Sequence, residues 1–192
     1  MLIMIAGLLL FLGTHSIRMF ANDWRTNFIS NRGKNTYTGI LSIVALLGVV
    51  LIVWGYGQAR LEPNIIWEPP VWTKHIAALL LIPSFILLVA SIVPGTKIKS
   101  LVGHPMVLGV KLWALAHLLA NGMLVDIILF GAFLTWSVFN FSASRRRDKA
   151  DGNTYPAVSI SRDVIAVIVG IVFYGLFAAM LHNWLIGVKP FG

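Results

Sequence analysis

Cysteine is absent from this 192-residue chain. That removes disulfides, thiolate nucleophiles, iron–sulfur clusters and thiolate-ligated haem together. It also removes any marker of redox compartment. Charge is scarce: 11% of residues are Asp, Glu, Lys or Arg, against about 25% in a typical soluble domain. Such a chain is not built for water. Several catalytic signatures are missing too. The sequence has no His-Glu-x-x-His, no glycine-rich phosphate loop before a helix, no paired intramembrane carboxylates and no Gly-x-Ser-x-Gly elbow. No fixed-period repeat appears, which excludes solenoids and arrays.

What is present is apolar length. Hydrophobic residues make up 58% of the chain and mean hydropathy is +0.84. The apolar runs read as about six transmembrane helices, over roughly 1–17, 37–56, 72–93, 104–120, 123–141 and 163–186. The expected class is therefore an all-α, polytopic membrane helix bundle forming a single domain over 1–192. The first run lacks a preceding cationic region and a small-residue cleavage site, so it reads as a retained helix and not a signal peptide. Pro83 predicts a kink inside the third span. Asn121-Gly122 reads as a tight reversal between the fourth and fifth spans. One uninterrupted helix there would overshoot a ~30 Å apolar core nearly twofold.

The net charge is +8, but it lies in short loops. Arg18, Arg25, Arg32 and Lys34 follow the first span, Lys97 and Lys99 the third, and Arg145, Arg146, Arg147, Lys149 and Arg162 the fifth. The loops after the second and fourth spans carry little positive charge. This alternation predicts cytoplasmic basic loops and both termini outside. The basic residues are expected to meet membrane lipid, with no nucleic acid partner.

Polar residues within or at the ends of spans are the candidates for chemistry, because intramembrane ionisable groups are costly. They are His15, His75, Lys111, His117, Asn121, Asp126, Asp163 and His182. Asp163 suits a helix N-terminus, Lys111 can snorkel to the surface, and Asp126 falls near the outer interface just past the reversal. Ala114, His117, Ala120 and Asn121 form one helical stripe, where a second helix or a flat ligand can approach closely. A buried histidine bonded across helices accounts for that stripe equally well. His15 has Arg18 one turn later, a pairing suited to iron ligation beside an acidic group or to an ordinary interfacial histidine. His104 precedes Pro105 and reads as the start of the fourth span. His75 and His182 lie near the outer ends of their spans, where they are a candidate metal pair.

The segment Gly13-Thr14-His15-Ser16-Ile17-Arg18 resembles the NnrU family. So does His104-Pro105 followed by Lys-Leu-Trp-Ala-Leu-Ala-His-Leu-Leu-Ala-Asn-Gly over 111–122. The resemblance spans essentially the whole chain. It implies a bacterial inner-membrane protein linked to denitrification. A related plant and cyanobacterial branch is 15-cis-ζ-carotene isomerase, a membrane enzyme that uses haem b. Carried over to this chain, the resemblance implies His15 and His117 as haem ligands. Arg18, Lys111 and Lys97 would steady propionates, and Asn121 would belong to the same cofactor site. The isomerase branch has a cysteine one turn before its second histidine; this chain has Ala114, so no thiolate ligand switch is available there. His117 lies about 13 residues into its span, roughly 20 Å by helical rise, whereas His15 lies toward the cytoplasmic end of its own. The pair His15 and His104 matches better in depth, and the resemblance favours His15 and His117.

Three functions follow as expectations. A haem-dependent redox or isomerase-like protein would act on or sense a lipophilic or small redox partner. A non-catalytic accessory or regulatory protein would serve nitrite and nitric oxide reductase systems. A small-solute transporter is the third, disfavoured by the absence of a midplane charge pair or an evident repeat.

Overall fold

The computed structural model describes residues 1–190 and is helical throughout, with one isolated bridge between Ile65 and Met123. The chain divides into two compact units, one built from 1–66 and 123–132 and the other from 67–122 and 133 onward.

In the first unit α1 (Leu2–Phe20) packs along α3 (Lys34–Ala59). Both are apolar all round, as lipid-facing helices must be, so no apolar stripe marks the seam. Glycine marks it instead. A Cβ on Gly48 would lie 2.8 Å from the backbone nitrogen of Phe11, and one on Gly55 would collide with the backbone of Met4. Small residues let helices approach closely where lipid supplies no hydrophobic drive between them. The polar connection between these helices reads as loop in sequence but holds a helix, α2 (Asn22–Arg32). Asp23 in its first turn and Arg32 in its last complement the helix dipole. Trp24 and Phe28 pack on the buried Tyr37 at ring distances of 6.4 and 6.0 Å.

The second unit is built on α4 (Val71–Ile92), which packs against both α6 (Pro105–Ala120) and α8 (Ile160–Leu176). The helix runs through Pro83. The hydroxyl of buried Ser84 donates to the carbonyl of Gly109 at 2.8 Å, tying α4 to α6. Gly170 brings α8 within van der Waals range of Ile86 on α4. A short helix, α5 (Lys97–Val102), has no counterpart among the spans expected from sequence. A π-helical turn (Phe177–Leu181) and α9 (His182–Ile186) complete the last span.

Among the described residues, five helices are long and apolar enough to cross a membrane, and Pro105–Ala120 is a shorter sixth. At sixteen residues, α6 spans roughly 24 Å. Its end is fixed at the expected reversal. Asn121 is extended, and Gly122 sits so tightly on the Trp67 backbone that no Cβ fits. The next helix, α7 (Leu124–Asp151), starts in the first unit and runs ten residues past the expected end at 141. Its extension is rich in Ala, Arg, Lys and Asp, and the helix formers Ala, Arg and Lys carry it on into the polar region.

Candidate functional site

A cavity of about 530 Å³ opens in the second unit, among α4, α6, α8 and the π-helical turn. That volume suits a small molecule or cofactor. Its walls are mostly apolar and aromatic, with Phe85, Trp113, Phe133, Phe173, Tyr174 and Phe177 prominent. Phe85 stands at the centre of this cluster, its ring 5.6, 5.8 and 5.7 Å from those of Phe173, Tyr174 and Phe177. Trp113 and Phe133 meet edge to face at 5.4 Å. Such pairs fill space with rigid, flat surfaces.

Five polar side chains break this apolar lining: His117, Asn121, His182, Lys74 and Lys189. His117 lies one helical turn after Trp113, and its Nδ1 donates to the Trp113 carbonyl at 2.8 Å. A carbonyl only accepts, so this bond fixes the proton on Nδ1 and makes Nε2 the lone-pair nitrogen of the neutral ring. Metal-binding histidines are commonly held by such a bond. Asn121 donates to the His117 carbonyl at 2.9 Å, closing the end of α6. His182 repeats the arrangement, with Nδ1 donating to the Val188 carbonyl at 2.7 Å and its ring 5.9 Å from Phe177.

The structure thus brings His117 and Asn121 together at the cavity, as their shared helical stripe predicts. It adds His182, expected in an outer metal pair, and Lys74, which no sequence pattern marks. His75, the proposed partner of His182, is exposed and does not line the cavity. No cluster of three or more His, Cys, Asp or Glu side chains suited to a metal ion occurs among the described residues.

The other candidates have different surroundings. His15 and Arg18 belong to the first unit. The His15 Nδ1 donates to the Phe11 carbonyl at 2.7 Å, the same one-turn bond that His117 makes. Lys111 is half-buried on α6 and is not among the cavity residues. His104, the alternative ligand, is engaged by Asp148 at 2.7 Å. Tyr155 donates to the other oxygen of the same carboxylate at 3.0 Å.

Two carboxylates have partners that the sequence does not show. Asp163 does lie in the first turn of α8, but its oxygens accept from the backbone N–H groups of Lys97 and Ile98, both at 2.9 Å. From the first turn of its own helix, where the sequence places it, it also caps the neighbouring helix α5. Asp126 is expected near the outer interface. It lies in the first turn of α7, 0% exposed, and accepts a 2.7 Å hydrogen bond from Tyr56 near the end of α3, inside the first unit. The side of α7 that carries Asp126 faces α3, where Tyr56 stands.

Length, composition and helix packing define an integral membrane protein, polytopic and all-helical, with an aromatic-walled cavity in its second unit. The profile described as NnrU protein matches residues 3–190, and the chain belongs to the NnrU family. No curated protein and no solved structure matches the chain.

Proposed function

We propose that this protein holds haem b in the cavity of its second unit, at the bacterial inner membrane, with a redox or isomerase-like role tied to denitrification. One observation carries the reading: His117, a ligand candidate from sequence, lines an aromatic-walled apolar cavity with its Nδ1 fixed by the Trp113 carbonyl. The donor set suits the group, since neutral imidazole is a good iron ligand and aromatic walls accept a planar macrocycle. Bound there, haem supplies an iron that changes oxidation state.

The residues of this chain do the rest. Trp113 holds the His117 tautomer through its carbonyl, and Asn121 braces the helix end beneath it. Phe85 and Trp113 exclude water from the apolar part of the space. Lys74 and Lys189 offer charge to an acidic substituent at the polar part of the lining. His182, which also lines the cavity, would be a further ligand from this unit, and His15 is the other histidine that the family resemblance implies. Lipophilic substrates or denitrification components are the expected partners.

A non-catalytic accessory role in nitrite and nitric oxide reductase systems is the second reading. It is favoured by Ala114, which leaves the chain without the thiolate of the isomerase branch. The test is an absorption spectrum of the purified protein, oxidised and dithionite-reduced, beside His15→Ala, His117→Ala and His182→Ala. A Soret band with sharp reduced α and β bands, lost in His117→Ala, supports haem. A featureless spectrum after expression with ample haem rejects it and leaves the accessory role.

A further inference from the structure

A second, more open groove of about 840 Å³ lies at the other polar feature of the second unit, where the end of α7 meets the segment that follows it. Its lining includes Arg145, Arg146, Lys149, Ser100, Asn153 and Thr154. The build of this segment creates the groove. α7 runs on to Asp151, and Gly152 then turns the chain at a φ of +67°. Asn153 N–H donates to the Asp148 carbonyl at 2.9 Å, and Val158 N–H donates to the Gly95 carbonyl at 3.0 Å. These bonds fold 153–158 back over the helix end and α5. The Lys99 ammonium sits over the Tyr155 ring at 5.7 Å.

The charge in the groove is unbalanced. Asp148 is the one acid in its lining. Both of its oxygens are already used, one by His104 and one by Tyr155. Three cations beside hydroxyl and amide groups make an oxyanion site, because Arg and Lys with hydroxyl donors match phosphate oxygens. The position indicates how the phosphate arrives. The groove lies just beyond the apolar stretch of α7, on the side that the basic loops assign to the cytoplasm. Neighbouring apolar residues are left in the open: Leu101 is 70% exposed, Val158 64% and Ile160 75%. A free anion has no use for such side chains, whereas acyl chains do.

We propose that this groove takes the phosphate headgroup of an anionic membrane lipid, with Arg145, Arg146 and Lys149 as its partners. The site is independent of the haem reading and stands or falls without it. The full-length protein, purified in detergent, is titrated with phosphatidylglycerol or phosphatidylcholine, and bound lipid is counted by native mass spectrometry. The combined Arg145→Gln, Arg146→Gln and Lys149→Gln variant is expected to bind phosphatidylglycerol at least roughly tenfold more weakly, with phosphatidylcholine unchanged. Arg25→Gln, Arg32→Gln and Lys34→Gln together remove the same charge from the first unit and are expected to leave affinity as it was. The single variant Arg146→Gln, with thermal melts of every form, guards against simple misfolding and is expected to show part of the loss. Equal weakening by both triple variants, or none by the first, overturns the site. Complete displacement of the lipid by equimolar inorganic phosphate overturns the lipid assignment and makes the groove a site for a soluble anion.

Discussion

The hydroxyl of Tyr56 donates to Oδ1 of Asp126 at 2.7 Å, while Oδ2 of the same buried carboxyl meets no hydrogen-bond partner among the described residues. A carboxyl buried with half its capacity unmet depends strongly on the partner it has. Tyr56→Phe removes that partner and keeps the ring. It is expected to destabilise the protein by about 1–3 kcal/mol, read as a lower midpoint in thermal unfolding in detergent. A midpoint unchanged from wild type would show that Asp126 does not rely on Tyr56.

The glycines of α3 predict a graded series. Gly55→Ala sets a methyl against the Met4 backbone, whereas Gly57 has open space around its Cβ position. The first substitution is expected to destabilise by roughly 1–3 kcal/mol, as overpacking does. Gly57→Ala is expected to be neutral or to stabilise by up to about 1 kcal/mol through helix entropy. Equal melting midpoints for the two variants would contradict the close approach of α1 and α3.

The cavity predicts a variant that folds but does not load. Ala178 lines it on the π-helical turn, and Ala178→Phe fills the space with an aromatic ring. Bound chromophore is expected to fall at least about tenfold, which corresponds to about 1.4 kcal/mol of lost affinity, while the far-ultraviolet circular dichroism stays helical. Full loading would place the ligand elsewhere.

His104, Asp148 and Tyr155 form one network, so their contributions should not add. His104→Ala and Tyr155→Phe are each expected to destabilise by about 1–2 kcal/mol. A double-mutant cycle is expected to give a coupling of at least about 0.5 kcal/mol, as for residues sharing a partner. Strict additivity would mean that the two act on Asp148 separately.

The spans are legible in the sequence because unbroken apolar runs of this length suit a bilayer core and little else. The break at Asn121-Gly122 shows in two small polar letters. The helix α2 is not legible. Its Asn, Arg and Asp residues read as loop, and only the packing of Trp24 and Phe28 on Tyr37 makes it a helix worth keeping. Half of the candidate site can be read as well: His117 on α6 and Asn121 at its C-cap lie one turn apart. His182 can be assigned only to its own helix, because nothing in the letters states that α6 and α8 share a cavity. The spacing of Phe173 and Phe177, one turn apart on that span, is the available signal, and it points into the same space. The burial of Asp126 cannot be read from its distance to the turn, since burial comes from the side of α7 that carries the residue.

The π-helical turn at Phe177–Leu181 acts as a phase shift in the last span. In an unbroken α-helix, Phe177 and His182 would point about 140° apart at ~100° per residue. The wider turn takes up one surplus residue, so both rings arrive on the same wall and meet edge to face at 5.9 Å. Deleting that one residue would close the turn back to ordinary α-helix and leave the two rings four residues, about 40°, apart. His182 would keep its place on the cavity wall, whereas the same deletion outside the turn would rotate it away by roughly 100°.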